Sequence, residues 1–232
     1  MKPDSIIYLV ATTPLFNAND IPAFEAFDKE NTLLLYSALT LNHYENLKLI
    51  SDTYNSVFCF DEKDIEHIPE IITSDHLDTF FADTSKKTNY LKKLADKYSS
   101  KHLNNLIVFS NSIGISQSDI SKAFNLLSME DEAIVIGKAQ NNGIAFLGFN
   151  SFNNNLFQEI DWDNIHYENL LPMVNKHENF VHVMNNYISI SKLSDFKQLY
   201  TELSKKESLS YCNQEMHEKF THLFIEYKEF LK

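Results

Sequence analysis

Every glycine of the chain falls between Gly114 and Gly148, inside one apolar, turn-punctuated block covering residues 105–149. Glycine serves where backbone turns sharply or where another group comes close to it, so its confinement to one block limits where tight turns and a site can be built. Within that block, residues 105–109 read as a buried strand. Residues 116–127 read as a helix whose Ser116-x-x-Asp119 start resembles a capping box. Residues 133–137 and 144–149 read as two further strands. Between them Asn142-Gly143 predicts a two-residue hairpin turn, because both residue types tolerate positive φ.

The rest of the chain supplies the layers around this block. Residues 6–11 read as a first buried strand, ended at Thr12-Thr13-Pro14 because proline disfavours helical geometry in its predecessor. A loop follows over residues 15–29. From Glu30, the positions Leu34, Ala38, Leu41 and Tyr44 recur at helical spacing, with Asn31 as the expected cap. Residues 56–60 and 77–81 read as strands. Thr84 or Ser85 is expected to cap a helix carrying Tyr90, Leu91, Leu94 and Tyr98 on one face. Asp163 is expected to cap a helix reaching Leu171, residues 187–190 to form an edge strand, and residues 194–205 a further helix. The clearest amphipathic pattern lies in Met216, Phe220, Leu223, Phe224, Tyr227 and Leu231.

Strands alternating with helices, then a hairpin and mostly helices, predict a three-layer α/β/α fold around a mixed, mostly parallel sheet. A chain of 232 residues that is 44% hydrophobic can bury one substantial core, and no Pro/Gly/Ser-rich run marks a linker. One domain spanning 1–232 is therefore expected. In such sheets ligands sit at the carboxyl ends of the strands, which directs attention to the residues after Ala11 and Phe109.

Charge removes several classes of partner. A formal net charge of -12 repels polyanions, so nucleic acid and anionic membranes are not expected. All 20 Lys+Arg residues are lysines, leaving no guanidinium fork for bidentate phosphate recognition. The run 6–11 is too short for a signal-peptide core or a membrane span, which points to a cytoplasmic protein. Cys59 lies within an apolar run and Cys212 is distant in sequence, so buried thiols are expected rather than a disulfide.

The chemistry-bearing motifs are sparse. Asp161-Trp162-Asp163 has the form of a cation-holding Asp-x-Asp, yet a helix cap and a core tryptophan account for it. Asp61-Glu62-Lys63-Asp64 reads as a solvated loop. His217 and His222 stand five apart and do not share a helix face, so the histidines give no metal pattern. Ser110 and Ser112 lack a triad spacing and a Gly-x-Ser-x-Gly elbow. No Walker or dinucleotide glycine pattern occurs.

Two segments carry a resemblance. Residues 107–116, Ile-Val-Phe-Ser-Asn-Ser-Ile-Gly-Ile-Ser, and residues 134–148, running through Gly137, Asn141-Asn142-Gly143 and Gly148, are followed by Leu156-Phe157, Ile160 and Trp162. In this order they resemble the bacterial selenodomain-associated transferases, glycosyltransferase-like proteins with the GT-A, nucleotide-diphosphosugar transferase fold. There a strand ends in Gly-Thr-Asp-Cys-Pro, and a later pair of strands carries Gly-Pro-Ala, an Asp-Gly-Gly-Tyr turn and Leu-Ile-Gly. Gly137, Gly143 and Gly148 fall on family glycines, whereas Gly114 does not. The family's aspartate in Gly-Thr-Asp falls on Asn111 and its Asp-Gly-Gly turn on Asn141-Asn142-Gly143. Its Asp-Val-Asp-Thr-Pro-x-Asp-Leu falls on residues 189–196, where Ser189 and Ser191 replace two acids. The family's basic element after the first strand has no counterpart, since no basic residue occurs between Lys2 and Lys29.

The resemblance implies a nucleotide or sugar cleft walled by Thr12, Thr13, Asn111, Ser112, Asn141, Asn142 and Gly143. A neutral amide offers a hard cation a weaker field than a carboxylate, so these replacements imply a chain that holds no Mg or Mn, has no assigned catalytic residue and has lost metal-dependent transfer. Two rivals stand beside this expectation. One is an active transferase with displaced ligands, such as Asp161 and Asp163 or Asp83. The other is an interaction protein, a homodimer using the helical face at residues 216–231.

Overall fold

The computed structural model describes residues 4–74, 78–98, 101–162 and 165–231. The strands are β1 (Ser5–Val10), β2 (Asn55–Asp61), β3 (Asp78–Ala82), β4 (Asn104–Phe109), β5 (Ser112–Ile113), β6 (Ala133–Ala139), β7 (Ile144–Phe149) and β8 (Phe180–Ser189). They form one sheet in the order β3-β2-β1-β4-β7-β6-β8-β5. Neighbours β3-β2, β2-β1, β1-β4 and β6-β8 are parallel, and β7 runs antiparallel between β4 and β6. The expected mixed, mostly parallel sheet is present.

Helices cover both faces. Helix α1 (Lys29–Lys48), α4 (Gln117–Leu127), α7 (Leu193–Leu203) and α8 (Gln214–Glu226) share a core with Ile7, Leu9, Phe58 and Phe60. On the other face α3 (Lys87–Tyr98), α5 (Asn154–Glu159) and α6 (Tyr167–Lys176) pack with Ile6, Tyr8, Val10, Ile107 and Phe109. Alternate residues of β1 therefore belong to opposite cores, as a period of two requires. A short α2 (Glu70–Ser74) precedes β3.

Several local expectations are corrected. Asp28, not Asn31, caps α1, its carboxylate accepting the Asn31 N–H at 2.7 Å. Asp83 caps the 3₁₀ turn Thr84–Lys86 that leads into α3, so Thr84 and Ser85 lie inside that turn. Helix α6 begins after His166 and continues through Pro172, and Asp163 and Leu77 lie outside the described residues. The edge strand expected at residues 187–190 is the end of the ten-residue β8.

The hairpin is longer than two residues. Ala139 N–H donates to Gly143 O at 2.9 Å and Asn142 N–H to Ala139 O at 3.1 Å, leaving Asn142 alone in the left-handed region at φ 66°. Gly143 is needed for space instead: a Cβ there would lie 2.8 Å from the Ser189 Cβ. At Gly137 a Cβ would lie 2.4 Å from the Phe146 ring. Only Gly114, at φ +96°, uses glycine for its conformation. The capping box of α4 forms as expected, between Ser116 and Asp119.

The apolar face of α8 is not a free surface. Met216, Phe220 and Leu223 are buried in the core shared with α1, so the dimer face expected there is covered by this chain's own helix. Both cysteines are free and buried. No helix among the described residues is long and apolar enough to cross a membrane.

Candidate functional site

A cleft of about 500 Å³ opens at the carboxyl ends of β1 and β4. Its position follows from the sheet, since flanking loops diverge where parallel strands end. Of the residues singled out in the sequence, Thr12, Thr13, Asn111, Asn141 and Gly143 line it. The Thr12 and Thr13 hydroxyls make no hydrogen bond to protein among the described residues, so both are available as donor and acceptor.

The two asparagines have a structural duty as well. Asn111 Nδ2 donates to Ile190 O at 3.1 Å and Asn141 Nδ2 to Ser189 O at 2.6 Å, and Ile190 N–H donates to Asn111 O at 2.7 Å. These bonds staple the end of β8 across β4 and the hairpin. Asn111 Nδ2 also reaches Ser189 Oγ at 3.4 Å, and Asn141 Oδ1 accepts the Gly143 N–H at 3.4 Å.

Ser112 and Asn142 do not line the cleft. Ser112 is fully buried, its Oγ donating to Phe109 O at 2.7 Å, while His43 Nε2 donates to Ser112 O at 2.7 Å. Burial holds His43 down to about 4, so the ring is neutral and supports the strand end. Asn142 faces α6 through its backbone, its carbonyl accepting the Tyr167 N–H at 2.9 Å.

Sequence reasoning missed Lys87, Lys192 and Tyr36, which also line the cleft. The absence of cations after β1 is offset by Lys87, the first residue of α3, and Lys192, the residue before α7. Asp195 fixes the second of these: its buried Oδ2 accepts the Ser191 N–H at 2.9 Å, the Ser191 hydroxyl at 3.0 Å and the Lys192 N–H at 3.1 Å. Asp195 therefore holds a loop. Burial, with the Asp195 carboxylate adding, pushes the Tyr36 phenol up to about 12, leaving a neutral hydroxyl donor. No aspartate or glutamate among the described residues lines the cleft.

The acids lie next door. A hollow of about 480 Å³ shares Thr12, Thr13, Pro22 and Lys87 with the cleft and holds Asp20, Asp61, Glu62 and Asp83. Its acids are mostly engaged. Asp61 is buried, accepting Thr84 N–H and Lys63 N–H, each at 2.9 Å. Asp64, beneath, is fully buried and accepts three backbone N–H groups, from Leu15, Phe16 and Asn17, at 2.8–3.0 Å. The solvated loop expected at residues 61–64 is instead a pair of buried clamps on the segments after β1 and β3. Asp20 pairs with Lys63 at 3.1 Å and Asp83 with Lys86 at 3.6 Å. Among the described residues no three His, Cys, Asp or Glu side chains converge to hold a metal. Trp162 is a core residue as expected, its Nε1 donating to Phe157 O at 2.8 Å. Asp161 is exposed, and Asp163 lies outside the described residues.

The three-layer fold is shared with solved structures of nucleotide-diphospho-sugar transferase and cytidylyltransferase type. A candidate nucleotide-diphospho-sugar transferase from Desulfovibrio desulfuricans superposes with a TM-score of 0.73 over 98% of both chains at 16% identity. The 4-diphosphocytidyl-2C-methyl-D-erythritol synthase of Anaerococcus prevotii gives 0.55 over 96% of both chains at 8% identity. A cytidylyltransferase from Leptospira borgpetersenii gives 0.54 over 99% of this chain and 97% of its own at 12% identity. At such identities the likeness is one of fold. No family model matches the sequence, and no curated protein matches it.

Proposed function

We propose that the chain is a divergent relative of the selenodomain-associated transferases, whose cleft binds a nucleotide sugar or a related phosphorylated molecule without a divalent cation and without metal-dependent transfer. The observation carrying this reading is the cleft lining: hydroxyls, side-chain amides and two lysines, with no carboxylate among the described residues. A hard dication needs anionic oxygens to offset its desolvation, and neutral amides beside ammonium groups do not supply them. Thr12 and Thr13 offer hydroxyls to a ribose or sugar, and the asparagine amides have remaining donor and acceptor capacity for its hydroxyls or for a base.

Calorimetric titration with a panel of nucleotide sugars, in EDTA and in Mn²⁺, tests this. Equal binding in both conditions supports it. Manganese-dependent binding accompanied by release of nucleoside diphosphate would sink it, and would favour a transferase using the adjacent hollow, whose Asp83 stands across the shared Thr12-Thr13 wall.

A further inference from the structure

We infer that Lys87 and Lys192 form a two-lysine seat for the phosphate groups of the cleft's ligand, supplying by protein ammonium groups the charge that a bound dication would otherwise bring. This rests on the cleft reading above and adds the anionic part of the ligand. The chain carries 32 Asp+Glu residues against 20 Lys+Arg, yet among the described residues the charged side chains lining the cleft are lysines. This local reversal of sign places two cations at one opening, beside a hollow that holds Asp20, Asp61, Glu62 and Asp83.

The two lysines come from opposite sides. Helix α3 packs on one face of the sheet through Tyr90, Leu91 and Leu94, and α7 on the other through Phe196 and Leu199. Their first turns therefore bracket the carboxyl ends of the strands. Lys192 is exposed and makes no ion pair among the described residues, while its backbone is pinned by Asp195. Three donors behind the loop bind Asp195 Oδ2, and the charge that remains acts on Tyr36 in the cleft wall. Lysine acts on phosphate as a compact point charge and needs no planar geometry, which suits a chain without arginine.

The test uses the full chain in EDTA, with inorganic pyrophosphate, UDP, CDP, glucose 1-phosphate, uridine and glucose as probes. Pyrophosphate is expected to bind, with Lys87→Met and Lys192→Met each weakening it about tenfold and higher salt weakening it further. Uridine and glucose binding should not change. Lys86→Met removes the same charge one residue away and outside the cleft, and is expected to cost less than about twofold. Where pyrophosphate binding falls in the variants, a parallel loss for UDP and CDP but not glucose 1-phosphate identifies a nucleotide as the source of the phosphate, and a parallel loss for glucose 1-phosphate but not UDP or CDP a sugar phosphate. The seat is overturned if the Lys87 and Lys192 variants bind pyrophosphate as tightly as the parent, or if Lys86→Met costs as much as Lys87→Met. Uridine or glucose binding without pyrophosphate binding overturns the seat and leaves the cleft. Failure of every probe overturns both.

Discussion

The two hollows at the carboxyl end of the sheet share the wall Thr12, Thr13, Pro22 and Lys87 and use charge in opposite ways. Around one, buried carboxylates accept backbone N–H groups and tie the loops after β1 and β3 to the frame. In the other no described carboxylate is present, hydroxyls stand unused and lysines reach in. An acid in a strand-end loop is therefore no sign of chemistry until its hydrogen bonds are counted; here the acids build the frame and the neutral wall faces the opening.

The sharpest way to break this contrast is Asp64→Ala. It strands three backbone N–H groups, that of Leu15 buried and those of Phe16 and Asn17 half-buried, and should cost about 3 kcal/mol, read as a lower urea midpoint. A variant as stable as the parent, but with altered ligand binding, would move Asp64 from frame to site. Next comes His43, beneath the cleft floor. Its folded value of about 4 lies below the usual 6.5, so the unfolded chain takes up a proton first as pH falls. Stability fully present above pH 6.5 is lost progressively between 6.5 and 4, by up to about 3 kcal/mol. Urea titrations at several pH values should show that slope in the parent and a shallower one in His43→Gln; parallel profiles would refute it.

Smaller effects sharpen the contrast from the cleft side. Asn141→Ala removes the donor to Ser189 O and is expected to cost about 1 kcal/mol in thermal unfolding, along with weaker nucleotide-sugar binding. The double change Thr12→Val with Thr13→Val removes no side-chain hydrogen bond to a described residue. Stability should hold within about 0.5 kcal/mol while affinity for the ligand falls up to about tenfold. A drop in stability instead would assign the threonines to the frame.

What could be read from the sequence was what short-range rules govern. The Ser116–Asp119 capping box lies within one helical turn, and Thr12, Thr13, Asn111 and Asn141 follow strand or hairpin ends that periodicity locates. The misread acids have distant partners. Asp61 binds Thr84, 23 residues on, and Asp64 binds Leu15, 49 residues back, so charge pattern alone gave a solvated loop. The cleft lysines failed to register for the same reason, because Lys87 and Lys192 meet the cleft only through the packing of α3 and α7 on opposite faces. Asn142 misled through its own turn chemistry: left-handed geometry suits it whether or not its side chain faces a ligand.

Helix α1 illustrates a different limit. Amphipathic spacing presumes a wet side, yet Leu35, Ala38, Leu39, His43 and Tyr44 are buried around its circumference, between the sheet and α8. The expected periodic positions Leu34 and Leu41 are only partly buried.

That enclosure sets the order in which the molecule can be completed during synthesis. Asn42 Nδ2 donates to Tyr211 O across 169 residues, and the Phe27 and Tyr227 rings stack at 3.8 Å. An early helix thus leaves the ribosome with an apolar surface whose cover is made long afterwards. Until α8 follows, the nascent chain carries exposed hydrophobic area of the kind chaperones retain, and a ribosome stalled before residue 214 would present α1 as a sticky, half-clad rod.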